Sequence, residues 1–171
     1  PPAVVGNWAA EARRFTPDLN VLVHHGPTRA SGAALKAKIR AADLVITTYG
    51  TSVRDIDDLA DIAWDRVVLD EAQVIKNHRS ATAKELRKLN ARVRLALTGT
   101  PIENGLGDLW AIMDFCNPGL VGGRTGFIDQ LSQVGDAVGA AESALHALNG
   151  VLVFRRTKAE PAIAAELPDR I

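Results

Sequence analysis

Four short apolar runs alternate along the chain with stretches of helical spacing, and this alternation constrains the fold more than any other feature. The runs are rich in Val, Leu and Ile and are apolar at successive positions; they cover Leu19–His24, Leu44–Tyr49, Arg66–Asp70 and Val93–Thr98. Strands of this kind are typical of parallel sheets that are buried on both faces. We therefore expect an α/β fold with a parallel sheet and right-handed crossovers.

Apolar side chains three or four residues apart predict helices between these strands. The stripes consist of Trp8, Ala12 and Phe15; of Leu35, Ile39 and Ala42 after Ser31; of Ala83, Leu86 and Leu89 after Ser80; and of Leu106, Leu109, Trp110 and Met113 after Asn104. Ser31 and Ser80 are candidate helix N-caps. Asn117-Pro118-Gly119 predicts the end of the last of these helices.

The pattern changes after residue 118. The segment from Gly119 to Gly139 is rich in glycine and only weakly periodic, which predicts a loop-rich excursion. A further helix and a short strand should follow; the helix would carry Val138, Ala141, Leu145 and Leu148, and the strand would cover Val151–Phe154.

Composition limits the classes of protein that need to be considered. The chain carries 20 basic and 20 acidic side chains, so any nucleic-acid site must be a local patch. The single cysteine, Cys116, excludes an internal disulfide and suits a reducing compartment. No apolar run approaches the roughly 20 residues that a membrane-spanning helix needs. We expect a cytoplasmic protein with no membrane partner.

Two adjacent acids, Asp70 and Glu71, follow directly after the third apolar run. In open α/β sheets, ligands bind outside the carboxyl ends of the strands. Nucleotide hydrolysis needs a carboxylate to hold Mg²⁺ through its waters and a second group to orient or deprotonate the attacking water. Asp70 suits the first role and Glu71 the second. Two acids that merely end a strand at the solvent boundary are an equally good explanation of this pair alone.

A Thr98-Gly99-Thr100 turn ends the next apolar run, and Pro101 stops the strand. Consecutive strands are usually neighbours, so this turn should lie beside the two acids. Threonine hydroxyls there would bond Glu71 or Gln73, and the glycine would permit a tight turn. The acidic pair and the turn together are a more specific signal than either one alone.

Basic residues are dense between Lys76 and Arg94, where seven of them accompany one acid, Glu85. A solvated helix face is one explanation and a face that contacts phosphates is the other. His24 and His25 are adjacent on a strand and point to opposite faces, which argues against a metal site.

Several of these motifs, in this order, resemble the Swi/Snf-type branch of helicase superfamily two. The matching segments are Gly6-Asn7-Trp8, Val45-Ile46-Thr47-Thr48-Tyr49, Asp70-Glu71-Ala72-Gln73, Ile75-Lys76-Asn77, Leu97-Thr98-Gly99-Thr100-Pro101-Ile102-Glu103-Asn104, Leu109-Trp110, Phe154-Arg155-Arg156-Thr157-Lys158 and Leu167-Pro168. The resemblance implies part of the N-terminal RecA-like lobe of a two-lobe motor that tracks along duplex DNA with ATP and Mg²⁺. Residues 1–117 would form the core of the lobe, and residues 118–171 an excursion and an exit towards the second lobe.

The resemblance also implies roles for individual residues. Asp70 would hold Mg²⁺, Glu71 would activate water, and Gln73 with Thr98, Gly99 and Thr100 would couple nucleotide state to the grip on DNA. The residues expected to contact DNA are Asn7, Trp8, Thr47, Thr48, Tyr49 and Lys76. A last set, Arg155, Arg156 and Lys158, would contact nucleotide, DNA or the second lobe.

One expected motif is missing from these 171 residues. A phosphate-binding loop needs Gly-x-x-x-x-Gly-Lys-Ser/Thr, and none of the six lysines follows a glycine. We therefore expect that this chain alone does not hydrolyse ATP, and that the loop lies upstream in a longer protein.

Two other functions remain open. One is a non-catalytic module with a helicase-like fold that binds nucleic acid or protein. The other is a different motor of superfamily two, such as a strand-separating helicase or a restriction-enzyme motor subunit. The protein would associate with the nucleoid in a bacterium and would be nuclear in a eukaryote.

Overall fold

The computed structural model describes residues 1–100, 105–132, 137–148 and 150–154. The strands are β1 (Val21–His24), β2 (Leu44–Thr47), β3 (Trp64–Leu69) and β4 (Ala91–Ala96). The helices are α1 (Val5–Phe15), α2 (Gly32–Arg40), α3 (Tyr49–Arg54), α4 (Ile56–Ala60), α5 (Ala81–Leu86), α6 (Leu106–Cys116), α7 (Arg124–Ser132) and α8 (Ala137–Leu148). Two 3₁₀ turns occur at Pro2–Val4 and Ala72–Ile75. Within these ranges, no helix is both long enough and apolar enough to cross a membrane.

The strands pair in parallel, β1 with β2 and β3 with β4. Val21 lies opposite Leu44 in the first ladder, and Val68 lies opposite Leu95 in the second. The predicted α/β fold and the parallel pairing of consecutive strands are therefore confirmed. The described strands form two two-stranded ladders, whereas the sequence predicted one sheet.

The second ladder has one buried and one open face. Leu69 is buried, but Val68, Leu95 and Leu97 are between 42 and 46% exposed. The prediction of burial on both faces is therefore wrong for this ladder, because the face that carries these three side chains is open to solvent.

The main core lies under the buried face of β3. It is built from side chains of α2, α4, β3, the second 3₁₀ turn, α5, the segment between α5 and β4, and α6, namely Leu35, Ile39, Ile56, Leu59, Leu69, Ala72, Ile75, Ala83, Leu86, Leu89 and Phe115. Each large apolar side chain buried in this way contributes about 1.5–3 kcal/mol. This core fixes the carboxyl end of β3, where the two acids leave the sheet.

A second cluster joins α6 to α7 and α8. Its buried members are Leu106, Leu109 and Met113 of α6 and Ala144 of α8. Because α6 also contributes Phe115 to the main core, it packs against both clusters. The boundary at residue 117 between the core of the lobe and the excursion stays a prediction.

The structure corrects two predictions for this part of the chain. The segment predicted to be loop-rich contains α7. Val151–Phe154 is not a strand: Val151 and Leu152 lie in a turn, and Val153 forms a single bridge. The Leu148 carbonyl accepts hydrogen bonds from the backbone N–H groups of Val151, Leu152 and Val153.

The buried face of α1 also differs from the prediction. Trp8 and Phe15 are 40% and 67% exposed. The buried side chains are Val5, Ala9 and Ala12, and of these Val5 and Ala9 pack against Ile46 of β2. The burial predicted for Ala12 is confirmed. An exposed face of α1 therefore carries two of the three residues that were predicted to line its apolar stripe.

One of the two predicted serine caps is confirmed. The Ala83 N–H donates to Ser80 Oγ at 3.1 Å at the start of α5. Ser31 occupies the N-cap position of α2 but makes no side-chain cap bond. The Gly32 N–H instead donates to Asp58 Oδ2 of α4 at 2.7 Å.

A partly buried ionic network joins β1 to the start of α4. Arg29 donates to both carboxylate oxygens of Asp55, with Nε–Oδ2 and Nη2–Oδ1 distances of 2.6 and 2.7 Å. The buried His24 donates from Nε2 to Asp55 Oδ2 at 2.8 Å. The Arg29 guanidinium lowers the pKa of Asp55 against the opposing effect of burial, and His24 lowers it further.

The turn after β3 contains a strained residue. Glu71 has φ 52° and ψ 51°, and it is the one non-glycine residue with positive φ in the described part of the chain. This left-handed conformation costs a non-glycine residue about 1–2 kcal/mol. Such outliers persist where the surrounding structure enforces them, and they cluster at functional sites.

Replacing Asp55 tests this network. We expect Asp55→Ala to lower the free energy of unfolding by about 2 kcal/mol, because the buried His24 and the partly buried Arg29 lose their shared partner. Chemical denaturation measures the change, and the exposed Asp57→Ala should change it by less than about 0.5 kcal/mol.

The same variant has a defined pH dependence. The pKa of Asp55 is lowered by folding, so its contribution is present above about pH 4, the ordinary value for an aspartate, and is lost as the pH falls through the folded value. The difference between wild type and Asp55→Ala should therefore shrink in acid. A difference that grows in acid would contradict the role given to this carboxylate.

A pair of substitutions tests the strain at Glu71. Glycine adopts the left-handed conformation without strain, so Glu71→Gly should be more stable than Glu71→Ala by about 0.5–1 kcal/mol, after allowing for the entropy of glycine in the unfolded chain. Glu85 lies inside α5 and provides the matched control. There, Glu85→Gly should be less stable than Glu85→Ala.

Candidate active site

The polar residues that follow β3 and β4 form a connected chain of hydrogen bonds. Gln73 Nε2 donates to Glu71 Oε2 at 2.7 Å, and the Thr98 hydroxyl donates to Gln73 Oε1 at 3.0 Å. The predicted contact between the acidic segment and the Thr-Gly-Thr turn is therefore present. The glutamine amide uses its donor towards the carboxylate and its acceptor towards the threonine.

Backbone pairing beyond β3 and β4 explains why these side chains meet. The Leu97 N–H donates to the Leu69 carbonyl at 2.7 Å, and the Ala72 N–H donates to the Leu97 carbonyl at 2.9 Å. These two bonds extend the ladder past the last paired residues of the strands, so Thr98 leaves the sheet beside Gln73.

Glu71 is oriented by its neighbours. Its backbone N–H donates to Asp70 Oδ1 at 2.9 Å, and Gln73 holds one carboxylate oxygen. A carboxylate that accepts one hydrogen bond keeps acceptor capacity for a water molecule. The arrangement can therefore orient a water and accept a proton from it.

Asp70 is held by two aromatic side chains that are far away in the sequence. Trp8 Nε1 of α1 donates to Asp70 Oδ2 at 2.8 Å. The Tyr49 hydroxyl donates to the Asp70 carbonyl at 2.7 Å. Burial raises the pKa of Tyr49, and the charges of Asp70 and Glu71 raise it further, so the hydroxyl remains a donor.

The geometry around Asp70 fits a magnesium ion that is bound mainly by water and phosphate. No group of three or more His, Cys, Asp or Glu side chains that could hold a metal occurs among the residues with described positions. Mg²⁺ usually keeps several waters and takes one or two carboxylates together with substrate phosphates. A single carboxylate at a strand end, fixed by hydrogen bonds to both oxygens, meets that requirement.

Several residues predicted to contact DNA have partners within the protein. Thr48 is buried and caps α3 by accepting from the Thr51 N–H. The Thr47 hydroxyl donates to the His24 carbonyl at 2.8 Å. Lys76 is also buried, and its Nζ lies 3.7 Å from Asp108 Oδ2. Asn7 is exposed on α1.

Part of the basic run from residue 76 to residue 94 joins elements of the fold. Arg87 donates to the Ala111 carbonyl and to Asp114 of α6. Arg94 donates to backbone carbonyls of Phe115, Arg87 and Leu89. The run is therefore not a simple solvated face throughout, although Arg79, Lys84, Lys88 and Arg92 are exposed.

The other predicted site residues contribute less. The Thr100 N–H donates to Thr98 Oγ1 at 3.2 Å, which closes the turn. Gly99 does not have the positive φ that would require glycine, and a Cβ there would meet no atom within 4 Å. Arg155, Arg156 and Lys158 lie outside the described residues.

Sequence reasoning missed the two bonds to Asp70 and the network at Asp55. Trp8 lies 62 residues from Asp70, and Tyr49 lies 21 residues from it. The spacing of residues along the sequence does not predict side-chain contacts between residues this far apart. For the Asp55 network, the sequence showed only an acid a few residues after Tyr49. That pattern is too common to predict an ion pair.

Comparison with known proteins gives a consistent assignment. The family model for the SNF2-related domain matches residues 1–171. A putative ATP-dependent helicase/translocase, YwqA of Bacillus subtilis, is 39% identical over all of this chain, which covers 19% of that protein. The ISWI chromatin-remodeling complex ATPase ISW2 of Saccharomyces cerevisiae is 34% identical over 94% of the chain, which covers 15% of its length.

A solved structure supports the same assignment at the level of the fold. The Sulfolobus solfataricus SWI2/SNF2 ATPase core in complex with dsDNA superposes with a TM-score of 0.79 at 38% identity. The match covers 98% of this chain and 35% of that one. The predicted RecA-like fold is thereby confirmed. The chain belongs to the SNF2-related family of helicase-like ATPases and corresponds to part of the N-terminal lobe.

Proposed function

We propose that the protein containing this chain is an ATP-dependent translocase on double-stranded DNA, and that this chain supplies the metal and water side of its ATPase site. The hydrogen-bonded series Glu71, Gln73 and Thr98 at the ends of β3 and β4 is the observation that carries the proposal. It supports an enzyme over a non-catalytic binding module, because a module that only binds has no need for an oriented carboxylate.

Each residue of the site has a defined task in this proposal. Mg²⁺ held by Asp70 through its waters would neutralise the charge that develops on the transferred phosphoryl group. Glu71 orients the attacking water and takes its proton. Gln73 fixes the Glu71 carboxylate, and Thr98 ties that glutamine to β4. A movement at the end of β4 would therefore change the position of the water-activating group.

Double-stranded DNA is the proposed partner. The structural relative from Sulfolobus was solved with dsDNA, which supports the choice. Exposed residues of α1, including Asn7, and the exposed Arg79 are available for contacts to the phosphate backbone. We also propose that Arg155, Arg156 and Lys158 act towards nucleotide or a second RecA-like lobe, and that the protein works in the cytoplasm on the nucleoid, or in the nucleus of a eukaryote.

Removing the water-activating carboxylate tests this proposal directly. In the full-length protein, Glu71→Gln should lower DNA-stimulated ATP hydrolysis at least about 100-fold, because the general base is lost while the shape of the side chain is kept. Steady-state phosphate release measures the rate.

The ion pair of Glu85 and Lys88, in which Glu85 is partly exposed, provides the matched control, and Glu85→Gln should hydrolyse ATP at the wild-type rate. ATP binding by Glu71→Gln should also stay close to wild type. Equal rates for Glu71→Gln and the wild-type protein would rule out the role given to Glu71.

The isolated chain of residues 1–171 gives a second test. We expect it to show no ATP hydrolysis above background and only weak DNA binding that falls steeply with salt, because it has no Gly-Lys-Ser/Thr loop to hold the phosphates. Robust hydrolysis by the isolated chain would show that the phosphates are held in another way.

A further inference from the structure

Asp70 receives hydrogen bonds from two side chains that belong to different elements. Trp8 projects from α1 and bonds the carboxylate, whereas Tyr49 begins α3 and bonds the backbone carbonyl of the same residue. Both distances, 2.8 and 2.7 Å, are those of well-formed hydrogen bonds. The carboxylate and the peptide that carries it are therefore held from two directions.

The elements that carry these donors are themselves fixed. α1 packs through Val5 and Ala9 against Ile46 of β2. α3 begins at a buried hydroxyl network, in which the Thr48 hydroxyl donates to Thr51 Oγ1 at 3.0 Å. The Ser52 hydroxyl donates to the Thr48 carbonyl at 3.0 Å. Both donors therefore lie on helices whose positions are fixed by packing or by hydrogen bonds.

The two bonds restrict different motions. The indole N–H engages Oδ2 while the Glu71 N–H engages Oδ1, so the carboxylate cannot rotate freely about its Cβ–Cγ bond. The tyrosine hydroxyl holds the carbonyl next to the strained Glu71 peptide, at φ 52°. The remaining lone pairs of Asp70 thus point in a fixed direction.

We infer that Trp8 and Tyr49 are positioning residues that pre-orient Asp70 for its metal, an inference that rests on the proposed function. Groups that hydrogen-bond a metal ligand set its orientation, and their loss commonly costs about 10–100-fold in metal affinity. In this inference each residue acts on the metal through Asp70.

Metal binding, measured without turnover, tests the inference. The full-length protein is saturated with a non-hydrolysable ATP analogue and titrated with Mn²⁺, and the free ion is followed by electron paramagnetic resonance. We expect Trp8→Phe and Tyr49→Phe each to weaken Mn²⁺ binding about tenfold, because each removes one hydrogen bond and keeps the aromatic ring.

Trp110 offers a matched control of the same chemistry. Its indole N–H donates to the Gly122 carbonyl at 3.0 Å, between α6 and the segment before α7. Trp110→Phe therefore removes one indole hydrogen bond elsewhere in the fold, and it should bind Mn²⁺ with wild-type affinity. Comparable weakening by Trp110→Phe would show a general loss of structure and would overturn the assignment.

A double-mutant cycle separates positioning from a merely structural role. Asp70→Asn should weaken Mn²⁺ binding, and adding Trp8→Phe to it should have no further effect, because Trp8 acts through the carboxylate. Additive losses would overturn the inference. Single variants that bind Mn²⁺ like wild type, while Asp70→Asn binds weakly, would overturn the positioning role alone. Wild-type affinity in Asp70→Asn would instead overturn both the inference and the metal role in the proposed function.

Discussion

The backbone hydrogen bonds between β3 and β4 carry the candidate site, because they set which residues leave the sheet side by side. Leu69 and Ala96 are the last register pair, the Leu97 N–H donates to the Leu69 carbonyl, and the Ala72 N–H donates to the Leu97 carbonyl beyond it. In a parallel ladder, a shift of one residue would turn every side chain to the opposite face. Thr98 would then point away from Gln73. The buried Leu69 and the core beneath it hold the register, so packing on one face of the sheet fixes chemistry at its end.

Strain and hydrogen bonding act together in the turn that follows β3. Glu71 occupies a left-handed conformation that an isolated chain would avoid, and the bonds around it hold it there. The Glu71 N–H meets its neighbour's carboxylate, Gln73 holds the Glu71 side chain, and Tyr49 holds the preceding carbonyl. In an extended strand, these two adjacent carboxylates would lie on opposite faces. The turn instead gives each carboxylate its own hydrogen-bond partners. The energy stored in the backbone is offset by this set of local bonds.

The sequence predicts the fold and the contact between the acidic segment and Thr98 well, because both depend on local pattern and strand order. Apolar runs located all four strands, and the ends of β3 and β4 had to meet once those strands were parallel neighbours. It does not predict the positions of Trp8, Lys76 or the residues of α7. Periodicity reports how often apolar side chains recur, but not which face the rest of the fold covers. The stripe assigned to α1 therefore grouped Trp8 with Ala12, whereas the buried face runs through Val5, Ala9 and Ala12.

Charge density along the chain overstates the charge available at the surface. Within the run from residue 76 to residue 94, Arg87 and Arg94 satisfy carbonyl groups around α5 and α6, and Lys76 lies against Asp108. Burying a cation is costly unless it is paired or hydrogen-bonded, so each of these contacts requires a partner at a fixed position. They consequently lock α6 onto the layer that carries Gln73, and α6 in turn completes the core under β3. These three cations thus stabilise the part of the fold that carries the two carboxylates. Contacts to DNA in the proposed function must come mainly from side chains that have no such internal task.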